Sequence, residues 1–437
     1  MTIINEIKEA IRGTEFENNA FIAGGWVRDK IMGNPSKDID IVVSCDNNGG
    51  IRLAQFLSKK LNGTNVVIFE RFGTAQVVIN GMDIEFVMTR KEEYDGLTRK
   101  PVVSFGTIED DVMRRDLTIN SLLYNISTEE ILDLTGKGFE DIKKGVIRTT
   151  NEPNFIFQQD PLRLLRAIRF ATRFDFIIAI DTFNAIINNT EALRKISKER
   201  IRDEFMKILG GKNPIKGIKL LMRTHLIEEI LPELIDCVGV DQNKFHSKDV
   251  LGHIFDVIEN AKISSIHRLT ALLHDIAKPE CKSITESGIH FYDHHIKSMD
   301  IAKRFMTELK FSNDEIDLVT TAIKNHMVFM DEKSRTPKVV RRWRMKLGEE
   351  KFNFLLDLME ADVKSCTDKR NWADELRKMQ IIEKPILILP VDGNDIMTLF
   401  NIKPGPRVKE LKDKVIDMVC ENPEITREEI IENLKTL

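Results

Sequence analysis

The alternation of apolar and polar positions is clearest in the first third of the chain. IDIVV (39–43), VVIFE (66–70), TAQVVI (74–79) and DIEFVMT (83–89) are short and rich in β-branched residues, which is typical of strands. Between them, GIRLAQFLSKKLNG (50–63) repeats apolar residues at helical spacing and ends on a glycine. These patterns predict an α/β region over about the first 150 residues.

The pattern changes beyond about residue 155, where strand signals fade and amphipathic helices predominate to the end. Prolines at 153, 214, 232, 279 and 337 mark breaks between the predicted helices. The fold class we expect is therefore an α/β head followed by all-α regions.

Composition narrows the class of protein. The chain is 42% hydrophobic and 31% charged, a composition typical of globular domains. Its 437 residues are too many for one hydrophobic core, so more than one domain is expected. No apolar run approaches the roughly 20 residues that span a bilayer, and the first residues do not resemble a secretory signal. Five scattered cysteines favour a reducing compartment, so we expect a cytoplasmic protein without membrane contact.

Asp38 and Asp40 are the first candidates for chemistry. They alternate on a predicted strand, so their side chains project from one side, roughly 7 Å apart along the backbone. Two carboxylates held in this way suit divalent cations that bind a triphosphate. Gly24 and Gly25 precede them in a turn that phosphate can approach closely, with Arg28 nearby. Ordinary solvated turn chemistry is the alternative for the isolated pair.

A third carboxylate is expected on a neighbouring strand. Asp83 and Glu85 share one face of DIEF, and Glu85, between Ile84 and Phe86, is the better candidate for completing a metal cluster. A salt-bridged or solvated Glu85 remains open.

The segment RRDLTINSL (114–122) carries a second set of polar groups. Its arginines have the bidentate geometry that phosphate requires, and Asp116 and Asn120 suit a sugar or a base. A helix turn with an Asp cap and a buried Asn is the alternative.

Basic residues concentrate locally, although the net charge is −4. Arg163, Arg166, Arg169 and Arg173 fall within about 120° of one helical face. RKISKERIR (194–202) and KVVRRWRMK (338–346) are further basic stretches. Nucleic-acid binding would therefore use a local basic face, and plain solvated helix surfaces are the alternative.

Five motifs occur in an order that resembles the class II tRNA nucleotidyltransferases and related bacterial poly(A) polymerases. Over roughly the first 235 residues the chain reads GGWVRD…DID, RRDLTINSLLYN, DLTGKGFEDI, QDPLRLLRAIRF and KERIRDEF. The resemblance implies a polymerase-β-like palm head, followed by helical neck, body and tail regions.

The resemblance also implies roles for individual residues. Asp38 and Asp40 would hold Mg²⁺, with Glu85 as the third catalytic carboxylate. The residues placed around the nucleotide are Gly24, Gly25, Arg28, Arg115, Asp116, Asn120, Asp160, Arg163 and Arg166. Asp160 and Arg163 correspond to neck residues that imitate a template by bonding the Watson–Crick edge of CTP or ATP. The position before them is usually acidic in this family and is Gln159 here, which leaves base selection open.

The C-terminal half resembles the HD phosphohydrolases over about residues 240–370. A single His on an apolar helix is more often a core residue, but ordered His and Asp positions suit a divalent transition metal or Mg²⁺. The residues matching the first metal's ligands are His253, His274, Asp275 and Asp362. His294 and His326 resemble ligands of a second site or phosphate contacts. A non-catalytic helical platform is the alternative.

These inferences give a domain plan and a function. We predict a head at 1–150, a helical neck and body at 151–238, an HD-type domain at 239–370 and a helical tail at 371–437. The predicted activity is Mg²⁺-dependent, template-independent addition of CCA to the tRNA 3′ end from CTP and ATP, with release of pyrophosphate. A partial-tail enzyme or a poly(A) polymerase is the alternative within this chemistry. An HD phosphohydrolase with an RNA-binding head is the alternative from another class, and the oligomeric state stays open.

Overall fold

The computed structural model describes residues 2–34, 38–46, 48–70, 73–93, 102–242, 248–366, 372–382 and 389–436. The chain forms two compact units, Met1–Ile230 and Leu231–Leu437. This division lies close to the predicted boundary at 238, and the four-part domain plan stays a prediction.

The first unit contains all the strands of the main sheet. Its strands are β1 (Ala20–Ala23), β2 (Ile39–Val43), β3 (Val67–Phe69), β4 (Thr74–Ile79), β5 (Met82–Met88), β6 (Arg90–Glu93), β7 (Val102–Phe105), β8 (Leu123–Asn125), β9 (Ile131–Leu132), β10 (Val146–Ile147) and β11 (Ile177–Ile178). Its helices are α1 (Ile3–Ile11), α2 (Gly25–Ile31), α3 (Gly49–Lys60), α4 (Ile108–Met113), α5 (Gly138–Lys144), α6 (Pro153–Gln159), α7 (Leu162–Phe174), α8 (Ile180–Asn188), α9 (Lys198–Leu209) and α10 (Pro214–Arg223).

The main sheet has the strand order β3-β4-β5-β2-β1-β8-β9. Strand β2 runs antiparallel to β1 and parallel to β5, with Asp40 opposite Ala23 on one side and Glu85 on the other. The parallel pair needs a crossover, which α3, β3 and β4 provide. The expected neighbouring carboxylate is thus found on β5.

The sequence of β2 determines which of its side chains are buried and which are exposed. Ile39, Ile41 and Val43 enter the main core beneath the sheet, where each buried side chain contributes about 1.5–3 kcal/mol. On the opposite face, Val42 is covered by a smaller cluster with Val112 of α4, whereas Asp40 stays exposed. Asp40 therefore lies just beyond the edge of this smaller cluster, where its carboxylate is accessible.

The second unit is largely helical. Its helices are α11 (Glu233–Asp236), α12 (Val250–Asn260), α13 (Ser265–Leu273), α14 (Lys278–Cys281), α15 (His294–Glu308), α16 (Asn313–Asn325), α17 (Pro337–Leu347), α18 (Glu349–Ser365), α19 (Trp372–Ile382), α20 (Gly393–Phe400), α21 (Pro406–Glu421) and α22 (Arg427–Lys435). A hairpin of β12 (Lys282–Thr285) and β13 (Gly288–Phe291) joins α14 to α15.

The predicted fold class is confirmed, with one difference in detail. Strand β11 and the β12–β13 hairpin lie in regions expected to be entirely helical. β11 is two residues long and pairs with β10, so no alternation over 4–8 residues exists to signal it. Among the described helices, none has the length and apolar character that crossing a bilayer requires.

Candidate active site

A cleft of about 810 Å³ in the first unit gathers the head and neck residues that the sequence singled out. Its lining is Gly24, Gly25, Trp26, Arg28, Asp29, Asp38, Asp40, Arg114, Arg115, Asp116, Asn120, Asp160, Leu162, Arg163, Arg166, Arg169, Phe170, Arg173 and Arg200. Glu85 is not part of this lining but neighbours Asp40 in the sheet. The four arginines of α7 all line the cleft, which confirms that they share a face.

The carboxylates at the end of β2 perturb one another. Partial burial raises the pKa of Asp40, Arg115 opposes the shift, and the charge of Asp38 adds to it. The pKa of Glu85 is also raised, first by burial and then by Asp40. Carboxylates that repel one another in this way favour a shared cation, and an all-oxygen donor set suits Mg²⁺.

The glycine turn brings backbone to the same place. Gly24 has φ +72°, a conformation that glycine adopts without steric cost. A Cβ atom built there would lie 3.8 Å from both Asp40 Oδ2 and Arg115 Nη1. The turn thus lies beside Asp40 and Arg115, and its binding of phosphate stays a prediction.

Arg28 belongs to a buried polar chain rather than to the open surface. Its Nη1 donates to Asn120 Oδ1 at 2.5 Å, and Asn120 Nδ2 donates to Asp116 Oδ1 at 3.2 Å. Asp116 Oδ2 accepts from Arg166 Nε at 2.6 Å. Burial alone would raise the pKa of Asp116, but Arg166 and Asn120 outweigh it and lower the value. These residues therefore brace one another as well as facing the cleft.

Asp111 is a site residue that sequence reasoning missed. It is 1% exposed and accepts from Arg115 Nη2 at 2.8 Å and Nε at 3.1 Å, and from Arg114 Nε at 3.1 Å. Burial opposes the shift, yet the two guanidinium groups lower the pKa of Asp111. A signal existed, because Asp111 lies three and four positions before the arginines, a spacing that brings helical side chains together.

Asp160 and Arg163, the pair predicted to bond the base, each form hydrogen bonds with neighbouring groups of the chain. Arg163 Nη1 donates to Gln159 Oε1 at 2.9 Å and to the Ile156 carbonyl at 3.2 Å. Asp160 Oδ2 accepts from Arg200 Nη2 at 2.9 Å. Gln159 thus anchors Arg163, and Arg200 of α9, which the sequence analysis did not single out, orients Asp160.

Two aromatic rings support the arginines of the cleft. The Arg28 guanidinium lies 4.6 Å from the Phe174 ring centroid and 5.3 Å from that of Phe170. Arg169 lies 4.3 Å from the Phe170 centroid and pairs with buried Glu204 at 2.9 Å. Cation–π contact and ion pairing together fix the basic wall of the cleft.

The second unit brings together all six HD residues predicted from the sequence. They form two groups whose candidate ligand atoms lie within 4.8 Å of one another: His253, His274 and Asp362, and Asp275, His294 and His326. Every member is buried. The next residue, His295, is half-buried, with its ring centroid 5.7 Å from that of His294.

Charge is strongly coupled within this cluster. Burial alone would lower the pKa of His253, but Asp275 and Asp362 raise it to about 9. Burial lowers the pKa of His326 to about 3, with further lowering by His274 and His294. The pKa values of these two imidazoles thus shift in opposite directions, because carboxylates dominate at His253 and burial dominates at His326.

Several basic side chains of the 338–346 stretch have acidic or carbonyl partners within the second unit. Lys338 pairs with Glu421, and Arg342 with Asp417, each at 2.7–2.8 Å. Arg341 donates to the Cys420 carbonyl, and Arg344 pairs with Glu349. These contacts join α17 to α21 and α18, so the stretch is structural in large part.

Comparison with known families matches three parts of the chain. Residues 20–148 match the model described as the poly A polymerase head domain. Residues 175–237 match the probable RNA and SrmB-binding site of polymerase A, and residues 290–434 match domain 2 of tRNA nucleotidyltransferases. None of these three models is described as an HD domain.

Relatives and solved structures agree with these matches. The mitochondrial CCA tRNA nucleotidyltransferase of Candida glabrata is 27% identical, over 95% of this chain and 90% of the relative. The Bacillus stearothermophilus CCA-adding enzyme in complex with CTP has the same fold, with a TM-score of 0.70 at 22% identity over 100% of this chain and 98% of that one. The Thermotoga maritima CCA-adding enzyme complexed with tRNA gives a TM-score of 0.62 at 21% identity, over 99% and 94%. The chain is thus similar along 95% of its length to a CCA tRNA nucleotidyltransferase, and its residues 20–148 match the poly A polymerase head family.

Proposed function

We propose that the protein is a CCA tRNA nucleotidyltransferase, which adds CCA to the tRNA 3′ end from CTP and ATP. The observation that carries the proposal is the cleft, where the Asp38–Asp40 pair lies in one cavity with Arg115, Asp160 and Arg163. Carboxylates for metal, arginines for triphosphate and a donor–acceptor pair for a base are the groups that nucleotidyl transfer without a template requires.

Individual roles follow from charge and position. Asp38 and Asp40 hold Mg²⁺, with Glu85 beside Asp40 raising the negative potential. Bound Mg²⁺ supplies activation of the terminal hydroxyl and neutralisation of the leaving pyrophosphate. Arg115 and Arg28 bind and orient the triphosphate. Asp160 accepts from the exocyclic amine that cytosine and adenine share, and Arg163 donates to the acceptor edge.

The test uses purified protein, Mg²⁺ and tRNA lacking its CCA end, with CTP and ATP supplied singly or together. Addition of C, C and A followed by arrest supports the proposal. Addition of C alone or A alone indicates a partial-tail enzyme, and A-tailing of unrelated RNA indicates a poly(A) polymerase.

A matched pair of variants links the result to the cleft. Asp40→Asn should abolish nucleotide incorporation, because it removes one of the two carboxylates proposed to hold Mg²⁺. Glu9→Gln removes an exposed carboxylate that pairs with Arg12 outside the cleft and should leave the rate unchanged. Equal rates for Asp40→Asn and the unmodified protein would contradict the proposal.

Metal-dependent phosphohydrolysis is a second candidate function, for the second unit. It is supported by the convergence of six buried His and Asp side chains, which lie within α12, α15 and α18 or directly follow α13 and α16. RNA ending in a 2′,3′-cyclic phosphate is the substrate to test. Activity should persist in Asp40→Asn and vanish in His274→Gln, whereas loss in both variants would contradict two separate sites.

The cysteines bear on the cellular compartment. Unpaired cysteines among the described residues favour a reducing compartment, and we propose the cytoplasm. The Candida glabrata relative is named as mitochondrial. Fractionation of the source cells distinguishes the two.

A further inference from the structure

The β12–β13 hairpin carries a pair of stacked aromatic rings next to the His/Asp cluster of the second unit. The ring centroids of His290 and Tyr292 are 5.3 Å apart, and the two ring planes are 10° from parallel. Tyr292 is 64% exposed, so its ring is accessible to a further planar group. We propose that this pair, the aromatic platform, stacks on the 3′-terminal base of unpaired RNA whose terminal phosphate enters the cluster. The inference deepens the phosphohydrolase proposal for this unit and rests on it for the reaction alone.

Hydroxyl groups at the turn of the hairpin hold the platform in place. His290 Nε2 lies 2.8 Å from Ser287 Oγ, which in turn lies 2.8 Å from Thr285 Oγ1. The backbone of His290 is fixed as well, because it pairs with Ser283 across the hairpin. A ring that is ordered before binding loses little conformational freedom when a base stacks on it, which favours binding.

The chain turns sharply between the platform and the cluster. Asp293 has φ 56°, the left-handed conformation that Asp adopts more readily than most residues. Tyr292 is exposed before this turn, and His294 is buried after it, with its Nε2 3.3 Å from Asp275 Oδ1. Because two residues span at most about 7 Å, the backbone of Tyr292 adjoins the cluster. One terminal nucleotide is thus able to contact both.

The hairpin also borders the side of the cluster where a histidine is most accessible. The His294 side chain is 7% exposed, whereas the other three histidines of the cluster are at most 1% exposed. Phe291 is buried directly before Tyr292, and its ring centroid lies 5.5 Å from Lys278 Nζ, which pairs with Asp275. The hairpin therefore forms a wall of the cluster, and an RNA end that approaches His294 passes the platform.

The chemistry of stacking indicates the ligand. Every nucleobase has a planar π face, so an aromatic side chain binds bases without regard to sequence. A terminal base in a duplex is already engaged by its partner strand, and the platform therefore favours an unpaired end. The CCA-adding activity proposed for the first unit also acts on an unpaired 3′ end, so both units would share one class of ligand.

The test reports on the terminal base itself. The probe is a short single-stranded RNA with 2-aminopurine as its last base and a 2′,3′-cyclic phosphate, and its fluorescence falls when that base stacks. The full chain should quench the probe. Tyr292→Ala should raise Kd about 5- to 160-fold, which corresponds to the roughly 1–3 kcal/mol that one base–aromatic stack contributes. Tyr292→Phe keeps the ring and should bind as the parent does.

Controls separate stacking from other causes. Ile284→Ala removes an exposed apolar side chain from the same hairpin and should leave Kd unchanged. The slope of log Kd against log salt concentration should be the same for Tyr292→Ala and the parent, because the substitution removes no charge. The same probe annealed to its complement should be quenched less by the parent.

Equal Kd values for Tyr292→Ala and the parent, or a salt slope that differs between them, would overturn the platform. Equal affinity for the mononucleotide 2-aminopurine riboside 2′,3′-cyclic phosphate would overturn RNA as its ligand. Quenching that requires Tyr292, without cleavage of the cyclic phosphate, would leave the platform standing and refute the hydrolase instead. Cleavage with the same KM in Tyr292→Ala and the parent would do the reverse, so the two failures are distinguishable.

Discussion

Asp111→Asn is the change that best tests how the cleft is built. Asp111 contributes no atom to the cleft lining, yet it holds Arg114 and Arg115, which do line it. Asparagine keeps the shape of the side chain and removes the charge. Its amide NH₂ would also face a guanidinium, placing two donors against each other.

The expected magnitude follows from the contacts. Breaking a buried ion pair by removing one partner costs about 3–5 kcal/mol, and the arginines here are 15% and 19% exposed, so we expect about 3 kcal/mol. Arg115 would also lose its orientation toward Asp40. If one charge-assisted hydrogen bond to the triphosphate is lost, kcat/KM for CTP falls by about 13- to 160-fold, from about 1.5–3 kcal/mol.

The stability effect has a defined pH dependence. The folded-state pKa of Asp111 is lowered, so its contribution is complete above the unfolded value of about 3.9 and is lost as pH falls through the folded value. The difference in free energy of unfolding between the parent and Asp111→Asn should be constant from pH 8 to 5 and should shrink below pH 4.

Urea denaturation across this range and initial rates of CMP incorporation provide the measurements. Glu109→Gln removes an exposed carboxylate from the same helix and serves as the control. Equal losses in the two variants, or a stability difference that grows as pH falls, would refute the reasoning.

Three further changes test the neck and body. Gln159→Ala removes the hydrogen bond from Arg163 to Gln159 and leaves the one to the Ile156 carbonyl. A lost hydrogen bond of about 0.5–1.5 kcal/mol should lower kcat/KM about 2- to 13-fold with both CTP and ATP. An unchanged value would show that Gln159 does not anchor Arg163. Arg200→Met removes the partner of Asp160 and should raise misincorporation of UTP relative to CTP, while Arg200→Lys restores part of the selectivity. Gly217→Ala places a Cβ that overlaps Ile208 Cγ2 where α10 contacts α9. Thermal and urea denaturation should therefore report a free energy of unfolding lower by about 1–3 kcal/mol, and a stabilised variant would contradict this packing.

Local patterns were sufficient for the carboxylates and for the arginine face. Strand alternation places Asp38 and Asp40 on one side, and helical periodicity places Arg163, Arg166, Arg169 and Arg173 along one wall, without any knowledge of tertiary contacts. Glu85 was also predicted by number as the carboxylate of a neighbouring strand, and the parallel register of β2 with β5 places it opposite Asp40.

Partners distant in sequence were not predictable in this way. Arg200 reaches Asp160 from α9, and Glu204 on the same helix reaches Arg169, because α7 and α9 pack together. No single-helix pattern encodes which helix will be the neighbour. The stretch at 338–346 gives another example, because its sequence does not indicate that acidic groups of α21 and α18 pair with several of its basic residues.

The parallel pairing of β2 with β5 has a consequence for how this chain acquires activity during synthesis. The two strands adjoin only after α3, β3 and β4 have been made and the intervening loop has closed, an entropic cost that local hairpins do not carry. A nascent chain that has formed the β4–β5 hairpin without docking it has Ile41 and Phe86 exposed along an open seam. The same closure that covers these apolar side chains brings Asp40 beside Glu85, so a chain in which β2 and β5 have not paired lacks the adjacent carboxylates as well as a closed sheet.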